Sequence, residues 1–118
     1  MIYELRTYTM VPELFNEYLE RAEHVLFPII KDKIGFRVIG FWRAIGETEG
    51  PLPPGEEQQV PTIPAQIVWM IAWDNLQERA QKWRELHHDE EWQREFDRKY
   101  YLGAHVKLIE PIGALPRP

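Results

Sequence analysis

Two hydropathy periodicities alternate along this sequence in the order β-α-β-β-α-β, and that order restricts the fold more than any other feature. The predicted strands are residues 2–9, 35–45, 65–73 and 105–110. Apolar residues recur at helical spacing in the two regions between them, 12–34 and 76–101. Right-handed β-α-β crossovers then produce a four-stranded antiparallel sheet with both helices on one face. The sequence therefore predicts an α+β, ferredoxin-like domain over residues 1–118.

Proline, glycine and capping residues predict where the helices break and begin. Pro28 falls inside the first helical pattern, so the helix is expected to kink or restart there, and Gly35 is expected to end it. Asp74 resembles an N-cap with Gln77 as its reciprocal partner. Asp89 resembles a second N-cap, so the second helical region is predicted to divide in two.

Composition excludes several classes of protein. At 118 residues, with 44% hydrophobic and 13% aromatic side chains, the chain can bury the core of one domain. The net charge of -5 argues against a nucleic-acid partner, and the absence of cysteine excludes disulfides and thiol chemistry. No apolar run is long enough to cross a membrane, and no export signal is apparent. We therefore expect a cytoplasmic protein without a membrane partner.

The segment between the second and third strands, residues 46–64, has an unusual composition. Its 19 residues hold five of the ten prolines, three of the seven glycines and four glutamates, with no basic residue. A connection of this length is uncommon within a compact domain. It is predicted to close over a binding site or to clasp a partner subunit, and the alternative is a tolerated insertion.

Large apolar residues occur on both faces of the predicted sheet, although helices cover only one. Alternation places the following on the uncovered face: Ile39, Phe41, Ile67, Trp69, Ile71 and Trp73. A monomer rarely exposes so large an apolar surface. A second copy of the sheet would cover it, so the sequence predicts a homodimer, with higher oligomers left open.

Four segments of the chain resemble proteins of the NIPSNAP family. They are Met1–Thr9, Gly40–Arg43, Ala72–Arg79 and Asp89–Trp92. The resemblance implies a ferredoxin-like subunit that pairs face to face with a second copy as a dimeric α/β-barrel, and it supplies no settled activity. This sequence departs from the family in its long 46–64 segment and in Trp69 and Ile71, which stand where members often carry His and Trp.

The lumen between the paired sheets is the predicted ligand site. Alternation places these residues in it: Glu4, Arg6, Tyr8, Arg37, Phe41, Arg43, Trp69, Trp73, His105 and Lys107. Arginine forks match carboxylates and tryptophan faces stack on rings, so the lumen would bind a small aromatic or acidic molecule. The structural alternative is that Glu4 and Arg6 neutralise each other and that the aromatic residues are dimer core.

Three residues of this set are candidates for proton transfer: Tyr8, His105 and Glu4. The ordinary pKa of His lies nearest neutrality, and a Tyr hydroxyl can polarise a carbonyl group. These residues predict cofactor-independent acid–base chemistry, which leaves open whether the protein is an enzyme. His105 opens a strand, so a position in water at the barrel rim is the alternative.

No metal or cofactor is predicted. His87 and His88 are adjacent on a helix and point about 100° apart, which is unsuitable for sharing one ion. Two further functions stay open: a non-catalytic dimeric scaffold or protein-interaction module, and haem binding through His87.

Overall fold

Four strands form one antiparallel sheet in the order β2-β3-β1-β4, which places β1 and β3 in its centre. The strands are β1 (Ile2–Met10), β2 (Arg37–Gly46), β3 (Thr62–Trp73) and β4 (Tyr101–Ile109). The structure is a computed structural model that describes residues 1–48, 50 and 62–113. The predicted α+β, ferredoxin-like fold is confirmed.

A continuous helical stretch, residues 12–34, connects β1 to β2 and changes its winding along its length. It comprises a 3₁₀ turn (Pro12–Leu14), α1 (Phe15–Arg21) and two π-helical segments (Ala22–Leu26 and Pro28–Ile34). Pro28 has no N–H to donate to the preceding turn, and the wider π-helical turns lie on both sides of it. Gly35 ends the stretch at a left-handed φ of 94°, and its N–H donates to the Ile30 carbonyl at 3.1 Å.

The second helical region divides in two, as predicted, into α2 (Leu76–His88) and α3 (Glu90–Glu95). Asp89 caps α3, because its Oδ1 accepts from the Trp92 N–H at 2.9 Å. The predicted cap of α2 is wrong by one residue. Asn75 accepts from the Glu78 N–H at 2.8 Å, whereas Asp74 pairs with Arg37 at 3.1 Å.

The fourth strand begins earlier than predicted. After a 3₁₀ turn at Arg98–Tyr100, β4 starts at Tyr101, and Gly103 pairs with Thr9 inside the strand. Pairing with β1 therefore overrides the weak local strand propensity of this glycine. The described chain has no helix long and apolar enough to span a membrane. Most of the 46–64 segment lies outside the described residues, so its role as a lid or clasp stays a prediction.

Strand register shows which side chains share a face of the sheet. Glu4, Arg6 and Tyr8 pair with Ile71, Trp69 and Ile67, respectively, and all six belong to one face. The Trp69 ring contacts the rings of both Phe27 and Trp83, with centroids 5.3 and 6.5 Å apart. Both helical regions therefore cover this side, which we call the helix face.

The opposite side, which we call the open face, carries a different set of side chains. Tyr3, Leu5 and Thr7 lie there beside the central residues of β3, and all three are half-buried. The predicted open-face set is thus wrong, because Phe41, Ile67, Trp69, Ile71 and Trp73 lie on the helix face. Ile39 is 55% exposed, at an irregularity in the β2–β3 pairing.

Candidate functional site

Glu4 on β1 is fully buried and accepts hydrogen bonds from four side chains. Arg79 donates through Nε at 2.7 Å and through Nη2 at 3.2 Å. The indoles of Trp73 and Trp83 donate at 2.9 and 3.1 Å, and Arg6 donates through Nη1. Burial raises the pKa of Glu4, but the hydrogen bonds from Arg79, Trp83, Trp73 and Arg6 together lower it below its ordinary value of 4.5. Glu4 is therefore a charged, fully paired carboxylate.

Arg6 links this carboxylate to Tyr8. The two-residue spacing of a strand places all three side chains on one face, and Arg6 Nε donates to the Tyr8 hydroxyl at 2.7 Å. The guanidinium also lies over the Trp83 ring, 4.5 Å from its centroid. Within the described residues, Nη2 of Arg6 has no hydrogen-bond partner, and it is not shut away from solvent. Arg6 can therefore donate to a bound molecule.

Helix α2 supplies the other half of this arrangement through residues four positions apart. Arg79 and Trp83 both reach Glu4, and His87 lies one turn further on with its ring 5.7 Å from that of Trp83. Residues at this spacing share one side of a helix. The helix thus positions a cation, an indole and an imidazole along the helix face.

A cavity of about 660 Å³ lies between the helix face and the helices. Eight of its seventeen lining residues are aromatic: Tyr8, Tyr18, Phe27, Trp69, Trp83, Trp92, Phe96 and Tyr101. Apart from the tyrosines, its ionisable lining residues are Arg6, Arg98 and His87, and no described lining residue is a carboxylate. The cavity therefore combines aromatic walls with positive charge in a protein whose net charge is -5.

A pair of tyrosines forms another part of the wall. The hydroxyl of Tyr101 donates to that of Tyr18 at 3.2 Å, and the Tyr101 ring packs edge-on against Tyr8. Burial raises the pKa of Tyr101 to about 12 and also raises the pKa of Tyr18. Both side chains therefore stay neutral near pH 7 and act as hydroxyl donors or acceptors.

The predicted proton-transfer residues are only partly brought together. Arg6 connects Glu4 to Tyr8, but His105 pairs with Thr7 and so lies on the open face. The expectation that all three share one pocket is wrong, because alternation in β4 turns His105 to the other side of the sheet. Glu4 has no lone pair left for abstracting a proton.

The predicted ligand-binding residues also separate in the structure. Arg6 and Trp69 line the cavity. Trp73 lies beneath it on Glu4, and Phe41 packs against Phe27 with ring centroids 4.6 Å apart.

The two remaining arginines of the predicted set lie away from the cavity. Arg43 lies over the Phe15 ring at 4.8 Å, while Arg37 pairs with Asp74 and Glu78 beyond the end of the sheet. Lys107 pairs with Leu5 and belongs to the open face. Seven of the ten residues predicted to line the lumen therefore lie on the helix face rather than on the open face. Within the described residues, no group of three His, Asp or Glu side chains is placed to hold a metal ion.

Sequence reasoning missed the residues that the helices contribute. Arg79, Trp83 and Trp92 complete the site, whereas the sequence pattern assigns each of them only to a helix. One signal was available, since Arg79, Trp83 and His87 recur every four residues and so combine a cation with aromatic rings on one helix side. The pairing of that side with Glu4 depends on tertiary contacts.

This fold and this buried ionic cluster define an α+β, ferredoxin-like protein with a cavity between sheet and helices. No protein-family model matches the sequence, and no curated protein matches it. Solved structures do match. An uncharacterized NIPSNAP domain protein from Burkholderia xenovorans superposes with a TM-score of 0.73 and 22% identity, covering 99% of this chain and 100% of its own.

Two further solved structures have the same fold. A NIPSNAP family protein of unknown function from Agrobacterium tumefaciens matches with a TM-score of 0.71 and 25% identity, over 94% of this chain and 87% of its own. A dimeric ferredoxin-like protein from an uncultured marine organism matches with a TM-score of 0.59 and 8% identity, over 98% of each chain. The chain thus has the fold of NIPSNAP proteins over nearly its full length, and the predicted resemblance is confirmed.

Proposed function

We propose that this chain is a NIPSNAP-type protein that binds a small aromatic or acidic molecule in the cavity between the helix face and the helices. One observation carries the proposal. A cavity of about 660 Å³ has aromatic walls, while Arg6 and Tyr8 reach it from the central strand of the sheet. Apolar walls with a few convergent polar groups are typical of small-molecule sites.

Tyr8 is the group that would begin acid–base chemistry on such a ligand. Its hydroxyl oxygen accepts from Arg6 Nε, which leaves its own proton for a carbonyl or carboxylate oxygen of the ligand. His87 lines the same cavity, and its imidazole would take the proton-transfer role that the sequence predicted for His105. Glu4 would hold Arg6 in place rather than act as the base.

We also propose that the protein is a homodimer joined through its open face. Leu5, Met70 and Trp42 lie on that face, and Trp42 is 49% exposed. The indole of Trp42 lies over Gly40 and occupies the space that a Cβ at this position would need. An apolar surface of this kind suits a second copy, and a structural relative is described as dimeric.

Native mass spectrometry of the protein as purified, followed by calorimetric titration with 2-naphthoate and 2-naphthamide, tests both statements. We expect a dimer that binds at least one of the two aromatic probes. Trp69→Leu, in the cavity wall, should weaken that binding at least tenfold. The matched control Trp42→Leu, on the open face, should leave it unchanged when both proteins are compared as dimers. A protein that binds neither probe would favour the scaffold function instead.

Haem is a second candidate, favoured by the placement of His87 in the cavity lining. An imidazole among aromatic walls fits the proximal side of a haem site, and His87 would hold the iron there. Haem titration should then produce a Soret band that His87→Ala abolishes and His88→Ala retains. A band that is insensitive to His87→Ala contradicts this candidate.

A further inference from the structure

Among the described residues, Arg6 is the one charged group that the cavity holds on its sheet side, and its guanidinium is only partly used. The side chain is 17% exposed, Nε donates to Tyr8, and Nη1 donates to Glu4. Within the same part of the chain, Nη2 has no protein partner. A half-buried guanidinium with an open donor has the geometry that receives an anion.

The charges around Arg6 do not balance. Glu4 is the acidic member of the cluster, while Arg6 and Arg79 both pair with it, so one carboxylate faces two guanidinium groups. Arg79 reaches water at 30% exposure, whereas Arg6 is more enclosed. An anion beside Arg6 would complete the charge balance at the position where solvation is poorest.

The hydroxyl of Tyr8 lies where it can share that anion. It is held 2.7 Å from Arg6 Nε as an acceptor, so its O–H is free to donate beside the guanidinium. Two adjacent donors of this kind match the two oxygens of a carboxylate. By contrast, a neutral amide would place its N–H₂ against one of these donors.

The aromatic walls of the cavity determine which shape of ligand can be attached to the anionic group. Trp83 and Trp69 stand beside Arg6, and Phe27 faces Trp69 edge-on at 5.3 Å. Aromatic faces at these positions accept a flat ring by offset or edge-to-face contacts.

From these observations we infer that the ligand is an aromatic carboxylic acid, bound with its carboxylate inward on Arg6 and Tyr8 and its ring against Trp69 and Trp83. This inference rests on the proposed function and names its substrate class. It also assigns Glu4 as a positioning residue, which orients Arg6 through Nη1 without touching the ligand.

Calorimetric titration with 2-naphthoate and its neutral analogue 2-naphthamide tests the inference. We expect the wild-type protein to bind 2-naphthoate at least tenfold more tightly than the amide. Arg6→Gln should reduce that preference to about one, whereas Arg84→Gln, an exposed arginine on α2, should preserve it. Because the preference is a ratio measured within one protein, a general loss of affinity does not alter it.

Tyr8→Phe keeps the aromatic ring and gives a second test if Arg6→Gln fails to fold. Its preference for the carboxylate should fall severalfold. Equal affinity of the wild type for the two probes would overturn the inference and leave the proposed function intact. A preference unchanged by both Arg6→Gln and Tyr8→Phe would also overturn it. Failure of both probes to bind would overturn the inference and the proposed function together.

Discussion

The two faces of the sheet differ in the polarity of the side chains that β1 places on them. On the helix face, β1 fully buries Glu4 and holds Arg6, which is 17% exposed, beneath two helical regions. On the open face, the same strand presents Tyr3, Leu5 and Thr7, which are less polar and remain half-buried. Polarity alone would have reversed this arrangement. The comparison shows that the hydropathy of one strand does not decide which of its faces is buried, because the neighbouring β3 contributes Ile67, Trp69 and Ile71 to the same face.

The helix face tolerates a buried charge because every acceptor position is used. Moving an isolated carboxylate out of water costs a desolvation free energy on the order of several kcal/mol. Only hydrogen-bond donors close to the carboxylate offset that cost. Glu4 has donors from Arg6, Arg79, Trp73 and Trp83. The open face has no such network among its described residues, and its apolar side chains form the surface through which we propose that the dimer assembles.

Removing the Glu4 carboxylate is expected to reduce the stability of the protein more than any other substitution proposed below. We expect Glu4→Ala to lower the free energy of unfolding by about 3–5 kcal/mol, since two guanidinium groups and two indole N–H groups lose their acceptor. Urea denaturation measures this effect. Glu20→Ala, at an exposed helical position, is the matched control and should cost less than about 0.5 kcal/mol. A loss below about 1 kcal/mol for Glu4→Ala would show that the cluster is not a structural centre.

A charge on the open face tests the proposed dimer. Met70 pairs with Leu5 in the middle of that face, so Met70→Glu would bury an unpaired carboxylate between two copies. We expect the dimer dissociation constant to rise about 30-fold or more, equivalent to about 2 kcal/mol. Sedimentation velocity across a concentration series measures it. Gln81→Glu on exposed α2 should leave assembly unchanged, and a Met70→Glu dimer of wild-type affinity would remove the open face as the interface.

The lowered pKa of Glu4 predicts an acid dependence of stability. The unfolded chain protonates Glu4 near its ordinary pKa of 4.5, while the folded chain keeps the carboxylate ionised to lower pH. The stabilisation is therefore complete above that value and is lost as pH falls through the folded pKa. We expect the stability difference between the wild type and Glu4→Gln, measured by urea denaturation across a pH series, to shrink on acidification. The slope should approach about 1.4 kcal/mol per pH unit between the unfolded and folded pKa values. A difference that is constant with pH would contradict the assigned ionisation.

The smallest expected effect separates the two cap assignments at the start of α2. Asn75→Ala should cost about 1 kcal/mol, because the Glu78 N–H loses its acceptor. Asn75→Asp should restore most of that loss. Thermal and urea denaturation measure both variants. A larger loss of stability for Asp74→Ala than for Asn75→Ala would show that Asp74, the residue predicted from the sequence, is the cap.

Much of the fold was predictable because it depends on local rules. Strand alternation in β1, the change of helical winding around Pro28 and the end at Gly35 all follow from covalent geometry and side-chain spacing. The cap at Asp89 follows from the same rules. The cap of α2 was misplaced because Asp74 and Asn75 are adjacent residues of equal capping propensity. Asp74 forms an ion pair with Arg37 on the neighbouring strand β2, so Asn75 caps the helix instead.

The candidate site was predictable only as a set of residues. Glu4, Arg6 and Tyr8 share a face by alternation, and the structure links them by hydrogen bonds. Their side of the sheet was assigned incorrectly, because alternation shows which residues share a face but does not show which face the helices cover. Arg79 is the residue that reverses this assignment, and it is separated from Glu4 by 75 positions. No local pattern carries that contact.

The sequence by itself determined the order of the elements, the ferredoxin-like class and the likeness to NIPSNAP proteins, since these depend on periodicity and short motifs. Only the tertiary structure decided which face of the sheet is buried and where the cavity lies. The physical reason is that alternation divides a strand into two sets but does not orient them. The buried face combines one carboxylate, fully paired with donors from distant elements, with the apolar side chains that β3 places on the same side.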